Sequence, residues 1–411
     1  MSGNGELRNI PSFPPEYRAS GLLLHVTSLP SPYGIGDLGP SAFSWVDRLH
    51  DAGQRWWQAL PLGPTGYGNS PYQPLSSFAG NVLVISPGAL ISDGLLQASD
   101  CECHFTADRV DYDAVIPFKQ RLLEKAWTNF KAGEREDLRP AYDEFCAKHA
   151  NWLEDYALFA ALKEKYHGAY YLEWPPELVQ RHADTMVEAR RELATQIDQV
   201  RFAQFLVFRQ GDQLKNYAHA KGVSLIGDLP FFVSPDSSDV WANPEFFLLD
   251  EQRRPRFIAG VPPDYFSATG QLWGNPVYNW DVLRSTGYRW CIDRFQALLA
   301  HVDRQWYEEL PDYQRQNLWN YLKRSLGESV EAAPALMRLA WSSVAALTIS
   351  PLQDVLNLGR EARMNVPGRA SGNWSWRVAE DMLSPASFES LRELTASSRR
   401  SDPFVTRKSK S

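Results

Sequence analysis

Two stretches of this 411-residue chain gather the residue types that recognise polyols. Gly66–Asn81 and Gly260–Tyr278 each set aromatic rings beside Asn, Gln, Ser or Thr, between Gly and Pro turns. An aromatic ring offers a flat apolar face and a polar edge. A sugar has a C–H face that stacks on such a ring and hydroxyls that bond amides and other hydroxyls. Long ordered loops in compact domains are usually functional, although either stretch alone would also serve as a plain connection. The chain's 15 Trp and 17 Tyr point the same way, with core packing the competing use.

Other chemistries are poorly served. Cys101 and Cys103 are too close for a finger-type zinc pair, and no His–Cys cluster completes them, so Cys101, Cys103, Cys146 and Cys291 read as reduced structural thiols. The 42 basic and 49 acidic residues leave a net charge of −7 without a dense basic stripe, which argues against nucleic acid as partner. No apolar run reaches membrane-spanning length, and the first twenty residues lack the hydrophobic core of a secretory signal. The expectation is a cytoplasmic protein with no membrane partner. Arg399 to Lys410 reads as a solvated, disordered tail over 396–411.

The elements that position the loops alternate. Gly21–Thr27 is an apolar run expected as a buried parallel strand. Ser41–Asp51 has helical spacing at Phe43, Val46 and Leu49, and Arg55–Leu60 is a second strand, making a β/α unit. From about 110 to 220 the pattern is helical and too long for one crossover, so it reads as an inserted helical subdomain, with Trp152, Tyr156, Phe159 and Leu162 on one face. Val223–Asp228 is a third strand, and 287–300 returns to helix. The alternation then breaks: only His301–Asp303 is available as a strand before Gln314–Leu326, which is again helical, and the next apolar run is Ser343–Ile349. Four core strands result.

Several phrases resemble the amylomaltase (disproportionating enzyme) family of 4-α-glucanotransferases, glycoside hydrolase family 77 of the α-amylase clan. They are Leu24–Gly39, the two loops, Gly227–Pro230, Val240–Glu245, Glu361–Gly368 and Gly372–Arg377. The likeness runs from about residue 20 to 395. It implies an α/β fold, a (β/α)₈ TIM barrel with helical insertions, whose active site lies at the C-terminal strand ends. It also implies transfer of α-1,4-glucan segments between maltooligosaccharides by a retaining double displacement, using an Asp nucleophile, a Glu acid/base and a second, stabilising Asp, with no metal or organic cofactor. Residue by residue, Tyr72 matches a family Tyr that stacks on the sugar beside the cut bond, and Trp273 an acceptor-side aromatic. Asp228 matches an Asp at the end of the third strand, and Asn365 a sugar-contacting Asn. Asp264, Tyr265 and Phe266 match a loop that covers bound glucan. Asp228 could instead be a strand-end hydrogen-bonding group, and Tyr265 and Phe266 loop packing.

The chain departs from the family where catalysis belongs. The family carries its nucleophile in Arg-Ile-Asp-His-Phe-Arg-Gly on strand four, its acid/base in Ala-Glu-Asp-Leu-Gly on strand five, and its third carboxylate in Gly-Thr-His-Asp-Asn on strand seven. None of these phrases occurs, so no catalytic residue is identifiable. The chain jumps at Asp303–Arg304, and it is short by roughly a hundred residues, about four β/α units of a barrel of ~250 residues. Asp303 precedes the missing strand and is expected at the opposite, N-terminal end of the barrel. The expected layout is an N-terminal extension (1–20), strands one to three with their insertion and the 260–278 loop (21–303), and a C-terminal part with strand eight and the 361–377 loop (304–395). The sheet order would be 3-2-1-8 with two open edges, which invite self-association. The function expected of these residues is that of an inactive transferase or a non-catalytic α-glucan-binding protein.

Overall fold

The structure, a computed structural model, describes residues 17–263, 268–301, 304–305, 332–366, 369 and 371–401. Its centre is a parallel sheet built from β1 (Ala19–Leu23), β2 (Trp56–Gln58), β3 (Ser224–Gly227), β6 (Arg304–Gln305) and β7 (Leu347–Pro351). The order is β6-β3-β2-β1-β7. The expected 3-2-1-8 sheet is present as β3-β2-β1-β7. β2 and β3 fall inside their apolar runs, while β1 starts two residues before its run and β7 four residues into its run, because pairing rather than hydrophobicity sets the ends: β1 aligns Ala19 with Leu347 and Gly21 with Trp56. Gly21 fits there because a Cβ on it would stand 2.3 Å from the Trp56 carbonyl oxygen.

Two expectations need correction at the other edge. His301 ends a helix, and the short strand comes after it, at Arg304–Gln305. That strand pairs with Ile226 and Gly227 at the C-terminal end of β3. The sheet therefore has five strands where four were expected, and β3 is not an edge. Asp303 itself, and the helical run 314–326, lie outside the described residues.

Helices cover the sheet. Helix α1 (Pro40–Asp51) turns Ala42, Trp45, Val46 and Leu49 inward. Phe43, expected in that stripe, sits at its border against Tyr217, ring centroids 4.9 Å apart. The insertion is helical as expected, with α2 (Tyr112–Lys131), α3 (Arg139–Lys148), α4 (Ala150–Lys165), α5 (Ala183–Glu192) and α6 (Ala194–Ala220) its long members. The expected single face of α4 is two faces. Trp152 and Tyr156 join the main core, while Phe159 and Leu162 join a second core with Trp174, Trp241, Tyr278 and Trp290. A helix buried on both sides carries apolar residues around most of its circumference.

The 260–278 loop is an antiparallel hairpin, β4 (Ile258–Val261) with β5 (Gln271–Pro276). Helix α7 (Arg289–His301) follows it. Further along the chain, α8 (Ala332–Ser342) packs beside β7, and α9 (Glu389–Ser397) packs on α8. The tail expected from 396 onward is structured as far as it is described. Arg400 is fully buried and donates to the carbonyls of Trp341 (2.8 Å), Ala19 (3.0 Å) and Ser343 (3.0 Å). Three carbonyls satisfy a guanidinium that would otherwise be prohibitive to bury. The remainder, 402–411, lies outside the described residues.

All four cysteines are free, and burial raises the pKa of each thiol, which keeps them protonated. Among the described residues no helix is long and apolar enough to cross a membrane.

Candidate active site

All five strands run the same way, so their C-terminal ends share one face. A cleft of about 1090 Å³ opens there. Leu23 at the end of β1, Leu60 after β2, Pro230 after β3 and Pro351 at the end of β7 form its floor. Its walls are three segments, 70–73, 231–275 and 351–374, that follow different strands.

Tyr72, Trp273 and Asn365 all line this cleft, although up to 293 positions separate them in sequence (72 to 365). Tyr72 and Trp273 keep 37% and 41% of their surface exposed, which leaves ring faces for a ligand. Asp228 lies just beneath. The Tyr72 hydroxyl donates to Asp228 Oδ2 at 2.7 Å, and Asp228 borders an adjoining apolar cavity of about 120 Å³. The carboxylate thus fixes the ring from its phenol end. Asp264, Tyr265 and Phe266 lie outside the described residues, between the strands of the β4–β5 hairpin.

Residues not singled out from sequence complete the walls. Trp374 stands 5.8 Å from Tyr72, its ring tilted by 49°. Its backbone is left-handed at φ 60°, an unusual state for a bulky residue. The Trp374 N–H donates to Met364 O, and Tyr112 Oη donates to Trp374 O at 2.9 Å. Buried Arg377 ties the same segment to Ser31 O at 2.7 Å and Thr106 O at 3.1 Å. Gln73 joins two walls: its Nε2 donates to Asn275 Oδ1 (3.2 Å) and Trp273 O (3.3 Å). Asn275 in turn donates to Val233 O at 2.6 Å. Phe231 and Phe232 add rings on the side of β3, Phe232 lying 6.4 Å from Trp273. Arg294 on α7 supports them by donating to Pro230 O (2.8 Å) and to Tyr278 Oη (2.9 Å), which itself donates to Phe231 O. Trp374 lay in a phrase already conspicuous for two Trp residues. The amide bridge of Gln73 and Asn275 had no sequence signal, since it joins positions 202 apart.

Among the described lining residues Asp354 carries the only carboxylate. Burial raises its pKa, opposed by a hydrogen bond from Ser350. No cluster of three or more His, Cys, Asp or Glu that could hold a metal occurs among the described residues.

A parallel sheet whose strand ends open into a cleft walled by aromatic rings and amides defines the TIM-barrel-like class of α/β enzymes, with a site suited to a polyol. The glycoside hydrolase family 77 profile, described as 4-alpha-glucanotransferase, matches residues 24–304 and, separately, 303–383. The 4-alpha-glucanotransferase of Synechocystis is 37% identical over 480 residues, covering 89% of this chain and 95% of that protein. That of Thermus thermophilus is 36% identical over 497 residues, covering 93% and 99%. An amylomaltase from Streptococcus agalactiae, solved in complex with acarbose, superposes with a TM-score of 0.85 at 28% identity, covering 94% of this chain and all of that one. The chain belongs to the 4-α-glucanotransferase family, whose members transfer glucan segments.

Proposed function

We propose that this chain holds α-1,4-glucans in the cleft but does not transfer them, because the β/α units bearing the family's catalytic carboxylates are deleted between Asp303 and Arg304. One observation carries the reading. The family profile matches in two pieces that meet at residues 303–304. Three further facts support it. An alignment of 497 residues with the Thermus relative exceeds the 411 residues of this chain, so a long run of that relative has no counterpart here. The three family phrases are absent from the sequence. The described cleft wall offers one carboxylate, Asp354.

A retaining transferase needs two carboxyl groups about 5–5.5 Å apart, one ionised to attack the anomeric carbon and one protonated to release the leaving oxygen. Asp354 alone cannot play both parts. What the cleft can do is bind. Tyr72 and Trp273 stack on sugar rings, Trp374 backs Tyr72, and Asn365, Gln73 and Asn275 supply amide edges. Asp228 keeps the Tyr72 hydroxyl oriented. Asp264, Tyr265 and Phe266 are proposed to cover the bound chain. The free edges left by the deletion favour self-association, and the protein acts in the cytoplasm.

The test is incubation of the purified chain with maltotriose. The expected result is unchanged maltotriose beside measurable maltodextrin affinity. Glucose with longer maltodextrins, absent from a buffer control, would overturn the claim of inactivity. Sequencing the locus across codons 300–307 decides whether an uninterrupted longer reading frame exists.

A further inference from the structure

A plain glucan is uncharged, yet the cleft wall that follows β7 presents two cations. Arg360 and Arg363 both line the cleft, and both are exposed. The backbone between them sets their direction. Arg360–Ala362 is a single 3₁₀ turn, closed by the Arg363 N–H, which donates to Arg360 O at 3.3 Å. Side chains three positions apart eclipse in such a turn, so the two guanidinium groups leave it along one edge. Ala362 is 1% exposed and faces the core, and its carbonyl accepts from Gln353 Nε2 at 3.2 Å. That bond ties the turn to the short helix Leu352–Val355 after β7. Neither charge is matched by a carboxylate. Among the described residues no ion pair or side-chain hydrogen bond involves Arg360 or Arg363. Glu361, between them, is engaged by backbone: the Gly359 N–H donates to its Oε1 at 2.7 Å, and backbone N–H groups hold its carboxyl below the usual range. Asp354 is raised by burial, and no arginine opposes the rise. The insertion's arginines behave differently, Arg135 and Arg209 pairing with Asp93, and Arg181 and Arg190 with Asp155.

We infer that Arg360 and Arg363 form an anion subsite of the cleft, which selects glucans carrying a phosphomonoester. A guanidinium fork meets phosphate oxygens two at a time. A phosphomonoester carries about −1.5 to −2 charges at neutral pH, which two arginines match and a sugar carboxylate, with a single charge, does not. Asn365, two residues beyond Arg363, lines the same wall, so a sugar bonded there brings its substituents toward the pair. Rings and amides hold the sugar, and the arginines read what is attached to it. The inference rests on the glucan-holding reading of the cleft.

Calorimetric titration of the full chain tests it, with three probes: maltoheptaose, maltoheptaose carrying one phosphomonoester, and inorganic phosphate. Wild type is compared with a double variant, Arg360→Gln with Arg363→Gln. Both positions are exposed, so the fold should survive, and circular dichroism checks that it does. Wild type should bind the phosphorylated oligosaccharide at least ~10-fold more tightly than the neutral one, the scale of hydrogen bonds to charged groups. The double variant should lose that preference. Equal wild-type affinity for the two oligosaccharides overturns the anion subsite and leaves the cleft reading standing. A preference that survives in the double variant also overturns it, by placing the anion elsewhere. Inorganic phosphate bound as tightly as the phosphorylated oligosaccharide shows that the arginines hold a free anion, and the selection of substituted glucans falls. Wild type that binds neither oligosaccharide overturns the cleft reading together with the subsite.

Discussion

The two edges of the sheet are finished in different ways. At one, β1 pairs with β7 over five residues, from Ala19–Leu347 to Leu23–Pro351, and Arg400 locks the seam by donating to Ala19 O. At the other, β3 pairs with β6 over two, Ile226–Arg304 and Gly227–Gln305. The seam with five pairs joins the chain's two ends. The seam with two lies where the family profile breaks. On the function proposed above, the contrast teaches that a barrel can keep the loops that hold substrate, which follow β2, β3 and β7, without the strands that carry its chemistry.

Restoring the weak seam should have the largest effect. Inserting a relative's β/α units between Asp303 and Arg304 should raise maltotriose disproportionation by about 10⁴-fold or more, the scale on which catalytic groups acting as a unit contribute. An insert that folds yet stays inactive would place the defect elsewhere.

The strong seam can be broken from outside. Arg400→Ala removes three charge-assisted bonds to buried carbonyls. It should cost about 3 kcal/mol in a urea melt. A loss below about 1 kcal/mol would show that the seam does not depend on its staple.

Acid probes the same side of the sheet. His25, just beyond β1, is buried, and burial lowers its pKa to about 4. An unfolded chain protonates it near 6.5. The folded state has therefore lost no stability above about 6.5. It weakens as pH falls from there to 4, where both states are protonated, by roughly 3 kcal/mol in all. His25→Gln should flatten that part of the pH–stability curve, and an unchanged slope would assign the acid sensitivity to carboxylates.

Smaller effects resolve the cleft. Tyr72→Ala should weaken maltoheptaose binding in the cleft by about 10-fold, through loss of a stacking ring. Tyr72→Phe keeps the ring and loses only the hydrogen bond to Asp228. About 5-fold is expected, from a net ~1 kcal/mol. If Phe costs as much as Ala, the hydroxyl contacts sugar directly and Asp228 only aims it.

The sequence revealed what local pattern encodes. Apolar runs marked β1, β2, β3 and β7, and helical spacing marked α1 and the insertion, because burial is written in residue type every two or three positions. Tyr72, Trp273 and Asn365 stood out because their phrases are long and unusual. The cleft's cross-links did not. Gln73 and Asn275 are ordinary amides until the fold sets them 3.2 Å apart. Trp374 owes its place to a left-handed backbone that carbonyl and hydroxyl contacts hold. The β4–β5 hairpin read as a loop because Gly and Pro break the alternation expected of strands. Arg400 read as tail because its type is normally solvated, and only the carbonyls of Ala19, Trp341 and Ser343 make its burial tolerable.

That arginine also sets a clock. Its contact with Ala19 spans 381 positions, so β1 leaves the ribosome long before its outer neighbour β7 and later still its lock. During that interval an apolar strand has one bare flank, open to quality-control machinery.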